Sequence, residues 1–473
     1  MNKSDGDIPI YETRLATTDE NGNRVYIHPE DIKGKWKSRR NILYWFLIFI
    51  YLFLPWIYVD NHQWILLDLP QREFHIFGNV FYGHDGPLLL FVILGFVILM
   101  AFITSIWGRV WCGWACPQTV FIDAIFRKIE KIVEGNSRKR KSLEQAPWSL
   151  NKILKRTVKW ILYILVSLHI VHSFLGYFVG THELINITLS SPEKNWTLFV
   201  TMLTMTGIIL FDFGWFKEQF CIIACPYGRF QSVVMDDASM IVAYDKKRGE
   251  PRRNKYISKE AEGDCINCNH CVKACPTGID IRQGTQMECI ACTMCIDACD
   301  TIMTKVDKPT GLIRYTSENG LQGIKNKKIT LRSLIYLGVL LLIFIGFIFS
   351  INHRTHTKVQ FLRANHETAY QEIKNHHGEI EIVNHFRMKI YKAGGSSDKF
   401  ELRVEDQFKK MIQLTTPFEE VEIENDSFEA PVFLKFSKNI LINGSRKIKI
   451  QLFNKNTNKI TTTKELSLAG PTR

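Results

Sequence analysis

The chain has 473 residues and twelve cysteines, and every cysteine belongs to a motif. Eight form a doubled run, Cys265, Cys268, Cys271, Cys275 and then Cys289, Cys292, Cys295, Cys299, each half reading C-x2-C-x2-C-x3-C. Soft thiolates at this spacing suit four-iron cubes, and in two-cluster ferredoxins the fourth cysteine of each run crosses to the other cluster. That rule predicts one [4Fe–4S] cluster on Cys265, Cys268, Cys271 and Cys299, and a second on Cys289, Cys292, Cys295 and Cys275. Pro276 follows Cys275 as the motif expects, while Asp300 replaces the proline after Cys299. Paired zinc sites are the plain alternative, and three evenly spaced cysteines with a fourth at x3 fit them poorly.

The remaining four cysteines form two C-x3-C-P pairs, Cys112/Cys116 and Cys221/Cys225. On a helix, residues i and i+4 share a face, so both thiols of a pair can reach one ion. The proline after each pair is expected to end or kink its helix and expose the sulfurs. Three active readings compete: Cu(I) bound by thiolates, a third iron–sulfur cluster held by all four, or thiols cycling through a disulfide. Four buried structural cysteines are the passive alternative. Spacing alone does not choose among the active three.

Five apolar runs must position these groups: Asn41–Val59, Leu88–Trp107, Trp160–Gly180, Leu198–Phe216 and Leu334–Ile351. Each approaches the roughly 20 residues that cross a bilayer. The mean hydropathy of -0.05 averages these with very polar stretches. Residues 108–159 carry twelve Lys/Arg against four Asp/Glu, including the run Arg138 to Lys141, whereas 60–87 carry only Arg72 against four acids. The positive-inside rule therefore predicts a cytoplasmic N-terminus, cytoplasmic 108–159 and 217–330, and an exported segment from His353 on. All twelve cysteines then lie where thiols stay reduced. On this reading much of the net charge of +13 reflects topology rather than nucleic-acid binding.

Runs two and four each deliver a C-x-x-A-C-P motif to one interface, an internal repeat that could set the two pairs face to face. The segment after about residue 355 changes to period-two alternation: Ile380, Ile382; Phe386, Met388, Ile390; Phe400, Leu402, Val404; Val432, Leu434, Phe436; Ile448, Ile450, Leu452. With turns at Ala393–Ser396 and Asn443–Ser445, this reads as an all-β sandwich of about seven strands. His169 and His172 sit mid-span on one helix face, where ionisable residues are often functional. They could face a metal, a haem or a quinone, or simply bond to neighbouring helices. His62, His75, His84 and His182 are scattered in outer loops, and Asp212 is expected to cap or solvate a helix end.

Trp111-Cys112-Gly113-Trp114-Ala115-Cys116-Pro117-Gln118, Cys225-Pro226-Tyr227-Gly228-Arg229-Phe230-Gln231 and Cys295-Ile296-Asp297-Ala298-Cys299-Asp300 together resemble the CcoG/FixG/RdxA family of cytochrome c oxidase accessory proteins. The resemblance extends over nearly the whole chain. It implies a multi-domain membrane protein with a five-helix transmembrane part, a ferredoxin-like α+β module holding two [4Fe–4S] clusters, and a C-terminal immunoglobulin-like β sandwich. The implied layout is a cytoplasmic tail (1–40), helices one to four with both C-x3-C-P motifs (41–240), the ferredoxin module (241–330), helix five (331–352) and a periplasmic β domain (353–473), in the bacterial inner membrane.

The family further implies reduction of Cu(II) to Cu(I) during assembly of cbb3-type oxidase. Cys112, Cys116, Cys221 and Cys225 are then the copper site, with His169 and His172 as further candidate ligands. Expected partners are membrane lipid, a cytoplasmic electron donor, a copper chaperone or transporter, and oxidase subunits or assembly factors. A homo-oligomer is left open. NapH-type membrane ferredoxins also carry paired C-x3-C-P motifs, so an electron carrier serving the quinone pool is the main rival. A non-enzymatic assembly scaffold is another. The added β domain favours the first family.

Overall fold

A computed structural model describes residues 17–18, 21, 24–59, 62–70, 73–77, 79–82, 85–254, 256, 258, 261–324, 329–353, 357–363, 369–374, 380–392, 398–423 and 427–471. Arg72, His84 and the expected turn at Ala393–Ser396 lie outside the described residues. The chain divides into two compact units. One comprises Met1–Leu66 and Leu89–Phe347, the other Leu67–Leu88 and Ile348–Arg473.

In the first unit, helix α1 (Lys35–Phe53) opens with Lys35, Lys37, Arg39 and Arg40 before its apolar stretch, and a 3-10 turn at Leu54–Trp56 closes it at Pro55. Its N-cap residue, Gly34, has no side chain to offer. Asp297 supplies the cap from far along the chain, accepting from Trp36 N at 3.2 Å and Lys37 N at 2.7 Å. A Cβ on Gly34 would collide with that carboxylate, so only glycine lets it approach.

Among the described residues four helices are long and apolar enough to cross a membrane, and α1 is not one of them: α2 (Gly86–Trp107), α3 (Leu150–Val179), α4 (Pro192–Phe216) and α5 (Leu331–Asn352). Alternating Phe, Leu, Ile and Val with almost no charge makes their outward faces apolar, as lipid requires. α2 and α5 run antiparallel in the first unit: Ser105 and Ser333 hydroxyls lie 3.2 Å apart, and Gly346 stands beside Phe91. Gly108 ends α2 with φ of 60°, and a Cβ there would strike Met240 O. Glycine alone accepts both the left-handed backbone and the close approach.

Between α2 and α3 the basic segment is only partly a solvated face. Arg140 is buried and pairs with Glu130 at 2.9 Å, and Lys217 at the end of α4 contacts the same carboxylate. Tyr163 of α3 donates to Glu130 at 3.0 Å, and Lys159 meets Glu134 at 2.8 Å. One member of the run Arg138–Lys141 thus serves as an internal tie. A charge count cannot distinguish it from its exposed neighbours.

Residues 241–316 follow α4. Strands Ile241–Tyr244 and Ile313–Thr316 pair antiparallel around the doubled cysteine run. The two halves of the run share one backbone design. Asn267 (φ 57°) and Asn269 (φ 56°) recur as Ala291 (φ 52°) and Thr293 (φ 62°), at the same positions relative to Cys265 and Cys289. Left-handed residues at alternate positions turn successive N–H groups inward, a backbone form suited to anionic sulfur.

In the second unit, strands Glu73–Ile76 and Asn79–Tyr82 form a hairpin. Two sheets carry the C-terminal domain. One contains Thr357–Arg363, Gln371–Lys374, Ile380–Lys392, Ile412–Thr415 and Ser427–Ser437. The other contains Asp398–Val404, Val421–Ile423, Ser445–Asn454 and Lys459–Ala469. That is nine strands among the described residues rather than about seven. The long strand Ile380–Lys392 pairs along one edge with Gln371–Lys374 and then with Thr357–Arg363, so one edge accommodates two short strands. Every alternating residue singled out from the sequence is in the sandwich core except Ile380, which is half-exposed at a strand end. The alternation also holds a polar member. Asn384 is fully buried, with Nδ2 donating to Ala469 O and Oδ1 accepting from Ala469 N, both at 2.8 Å, so it ties one sheet to the other.

Candidate functional site

The doubled run folds into two thiol sets that interleave across its halves. Cys265, Cys268 and Cys271 are all electrostatic neighbours of Cys299, whereas Cys275 acts on Cys289 and Cys295. Cys275, Cys289, Cys292 and Cys295, together with Cys271, line one small cavity whose other walls are mainly Val242, Ile279, Ile281 and Ile290. Among the described residues no three His, Cys, Asp or Glu side chains meet tightly enough to chelate a single ion. Thiolates around a cube are separated by its width, so they need not meet at one point, and the four cysteines of the second set share one largely aliphatic pocket with Cys271. Burial pushes the Cys271, Cys289 and Cys299 thiols up to about 12, so without a cation they hold their protons. Binding iron must displace those protons.

The two C-x3-C-P pairs come together. Cys221 has Cys116, Cys112 and Cys225 as neighbours, and Cys112 has Cys116 and Cys225. The two motifs repeat one local geometry. Cys116 N donates to Trp111 O at 2.9 Å, and Cys225 N donates to Phe220 O at 2.8 Å, each an i to i+5 closure. Such wide turns recur at functional sites. Each second cysteine is then the N-cap of a new helix with proline in its first turn, Pro117–Phe121 and Pro226–Val234. The prolines therefore begin helices rather than ending them, because their missing N–H costs nothing there. The thiols are half-buried rather than exposed. Burial pushes Cys112 up to about 12 and Cys221 higher, and it raises Cys116 as well, although the N–H groups of Thr119 and Gln118 offset part of that rise.

This thiol group lies against the second set of the doubled run. Gly113, between Cys112 and Cys116, has no room for a methyl: a Cβ would lie 2.5 Å from Ile290 O and 2.9 Å from both N and Cα of Cys292. Arg109 donates to Gly228 O at 2.6 Å, to Cys289 O at 3.4 Å and to Met287 O, joining both C-x3-C-P motifs to the loop. Arg40 of α1 donates to Cys292 O at 3.2 Å, and Tyr44 donates to Gly113 O at 2.6 Å.

Sequence reasoning passed over Gly113, Arg109, Gln231 and the position of Asp212. Gln231 is fully buried and accepts from the Cys112 thiol at 3.4 Å. Asp212 accepts from Gln118 Nε2 at 2.9 Å and neighbours Cys116 and Cys221, so it is part of the thiol group's surroundings rather than a solvated helix end. The one signal available was the glutamine that follows each C-x3-C-P motif. His169 and His172 lie on α3 with His169 exposed, and neither is among the principal electrostatic neighbours of Cys112, Cys116 or Cys221.

Family profiles match three stretches: a "4Fe-4S binding domain" over residues 88–136, a "4Fe-4S dicluster domain" over 216–318, and an "IG-like fold at C-terminal of FixG" over 347–471. Protein RdxA of Cereibacter sphaeroides is 37% identical over 306 residues, 62% of this chain and 62% of RdxA. Nitrogen fixation protein FixG of Rhizobium meliloti is 35% identical over 324 residues, 65% of this chain and 58% of FixG. The matches thus span about three fifths of these relatives (62% and 58%). The methylamine utilization ferredoxin-type protein MauN of Methylobacillus flagellatus is 23% identical over 39% of this chain and 54% of its own length. A solved FixG-related protein from Vibrio parahaemolyticus is 15% identical, covering 24% of this chain and 92% of that one, with a TM-score of 0.18. Iron–sulfur profile matches in two stretches, the FixG C-terminal domain match and the 35–37% identity to RdxA and FixG show that this chain, which has four helices apolar and long enough to cross a membrane among its described residues, is similar to the FixG and RdxA proteins and carries iron–sulfur-binding stretches.

Proposed function

We propose that this protein reduces Cu(II) to Cu(I) at the four thiols Cys112, Cys116, Cys221 and Cys225, using electrons from two [4Fe–4S] clusters held by Cys265, Cys268, Cys271, Cys299 and by Cys289, Cys292, Cys295, Cys275. The observation that carries this reading is the backbone contact of Gly113 with Ile290 and Cys292. It sets the first C-x3-C-P motif directly on a loop of the second cluster. Such a cluster passes one electron at a time, which is what one copper ion takes. Soft thiolates prefer Cu(I), which favours the reduction.

The proposal includes five crossings of the bacterial inner membrane, with the charged first turn of α1 on the cytoplasmic side and the β sandwich in the periplasm. A cytoplasmic donor loads the clusters. Reduced copper passes to a carrier for assembly of cbb3-type oxidase, whose subunits or assembly factors meet the β domain. Similarity to FixG and RdxA supports the family context, and the oxidase role rests on that context alone.

A second reading is favoured by the profile match of residues 88–136 to a 4Fe-4S binding domain, since Cys112 and Cys116 are its only cysteines. On it the four thiols hold a third cluster and pass electrons onward, for example to quinone. Anaerobic mixing of the reduced protein with Cu(II) separates the two. Stoichiometric Cu(I), lost in a Cys112→Ser/Cys221→Ser variant that keeps about eight irons per chain, supports copper reduction. About twelve irons in the parent chain, falling to about eight in that variant, would establish the third cluster instead.

A further inference from the structure

A second cavity, of about 430 Å³, opens beside the doubled cysteine run and uses none of the thiols. Its walls come from residues 29–41, from the segment around Asp123–Lys131, from Arg140, and from Ala274, Pro276 and Met294. Seven cationic side chains line it against three carboxylates. The carboxylates are already engaged: Asp123 with Arg40 and Arg127, Asp31 with Lys131, and Glu30 with His270. Lys33, Lys37 and Lys128 are left without a carboxylate among the described residues.

Two buried arginines add an independent observation. The side chains of Arg40 and Arg140 are 1% and 4% exposed, yet each leaves its Nε with no acceptor. Buried donors are nearly always satisfied, and a charged donor left unpaired is costly. The cavity thus combines an excess of positive charge with two buried lining arginines whose Nε donors are unpaired. Its edge is interfacial: Lys128 lies 4.4 Å from the ring centroid of the exposed Trp45 on α1, an aromatic at the level expected of lipid headgroups.

We infer that this cavity is a phosphate-binding site, taking the phosphate of an anionic lipid headgroup or of a soluble phosphorylated compound. Phosphate oxygens accept several charge-assisted hydrogen bonds at once, which matches lysines and arginines converging from three segments. Ala274, Pro276 and Met294 adjoin Cys275 and Cys295, so the bound charge lies beside the second thiol set. The inference does not depend on copper reduction.

The test uses the full chain in nanodiscs. One arm measures retention of phosphatidylglycerol against phosphatidylcholine by native mass spectrometry. The other titrates inorganic pyrophosphate in phosphatidylcholine discs by calorimetry. A Lys37→Gln/Lys128→Gln variant, checked for unchanged iron, is expected to bind at least about tenfold more weakly in one arm. Loss in the lipid arm identifies a headgroup site, and loss in the pyrophosphate arm a soluble ligand. A Lys139→Gln/Lys141→Gln variant removes equal charge from outside the cavity and should bind as the parent does. Absence of binding in both arms, unchanged binding by the first variant, or equal weakening by the second would overturn the inference.

Discussion

Gly113→Ala is the sharpest test of how the two thiol regions communicate. The added methyl would lie 2.5 Å from Ile290 O and 2.9 Å from Cys292 N and Cα, all backbone atoms with no rotamer to yield. Restoring ordinary contact near 3.4 Å requires a separation of about 0.9 Å along the closest direction. Overpacking of this kind costs about 1–3 kcal/mol. A geometry-dependent step displaced by about 1 Å can slow up to ~100-fold. The expected result is a protein that keeps its iron and accepts electrons normally, yet passes them to copper at least about tenfold more slowly. Stopped-flow mixing of reduced protein with Cu(II), following cluster bleaching and Cu(I) chelation, measures this. Gly207→Ala is the control, because a Cβ there meets nothing within 4 Å. Wild-type transfer by a stable, iron-replete Gly113→Ala protein would refute the claim that this contact carries the electrons.

Other outcomes follow from the same contacts. Asp297→Ala removes the carboxylate that accepts from Trp36 N and Lys37 N, at a cost of about 0.5–2 kcal/mol. Faster hydrogen exchange confined to the first turn of α1 is the expected sign, and unchanged exchange would contradict the cap. Burial raises the Glu130 carboxyl, but Lys217 and Arg140 bring it down to about 2 overall. A depressed carboxyl stabilises the fold above its ordinary value of 4.5, and that contribution is lost as pH falls toward about 2. Glu130→Gln should therefore lower stability at neutral pH and flatten the acid limb between those values. An acid limb as steep as the parent's would show that Glu130 does not drive it. Asn384→Leu leaves the N–H and C=O of Ala469 unpaired in the sandwich, costing about 1–3 kcal/mol for each. Limited proteolysis of the C-terminal domain in urea reports the shift, and an unshifted midpoint would count against the tie.

The sequence by itself determined the chemistry and the elements. Cysteine spacing identified the iron–sulfur run, because ligand geometry is local and written into four-residue intervals. Apolar length identified α2 to α5, and period-two alternation identified the sandwich core down to residues such as Met388 and Ile450. The first apolar run was less legible. Its charged opening turn and the stop at Pro55 shorten the apolar part of α1, and hydropathy does not weigh helix ends. Only the tertiary structure decided what surrounds the thiols. Gly113, Arg109, Gln231, Asp212 and the cap from Asp297 act across tens to hundreds of residues, and no local period records such contacts. His169 and His172 show the converse. Their spacing fixed a shared helix face, but what that face meets depends on how α3 packs.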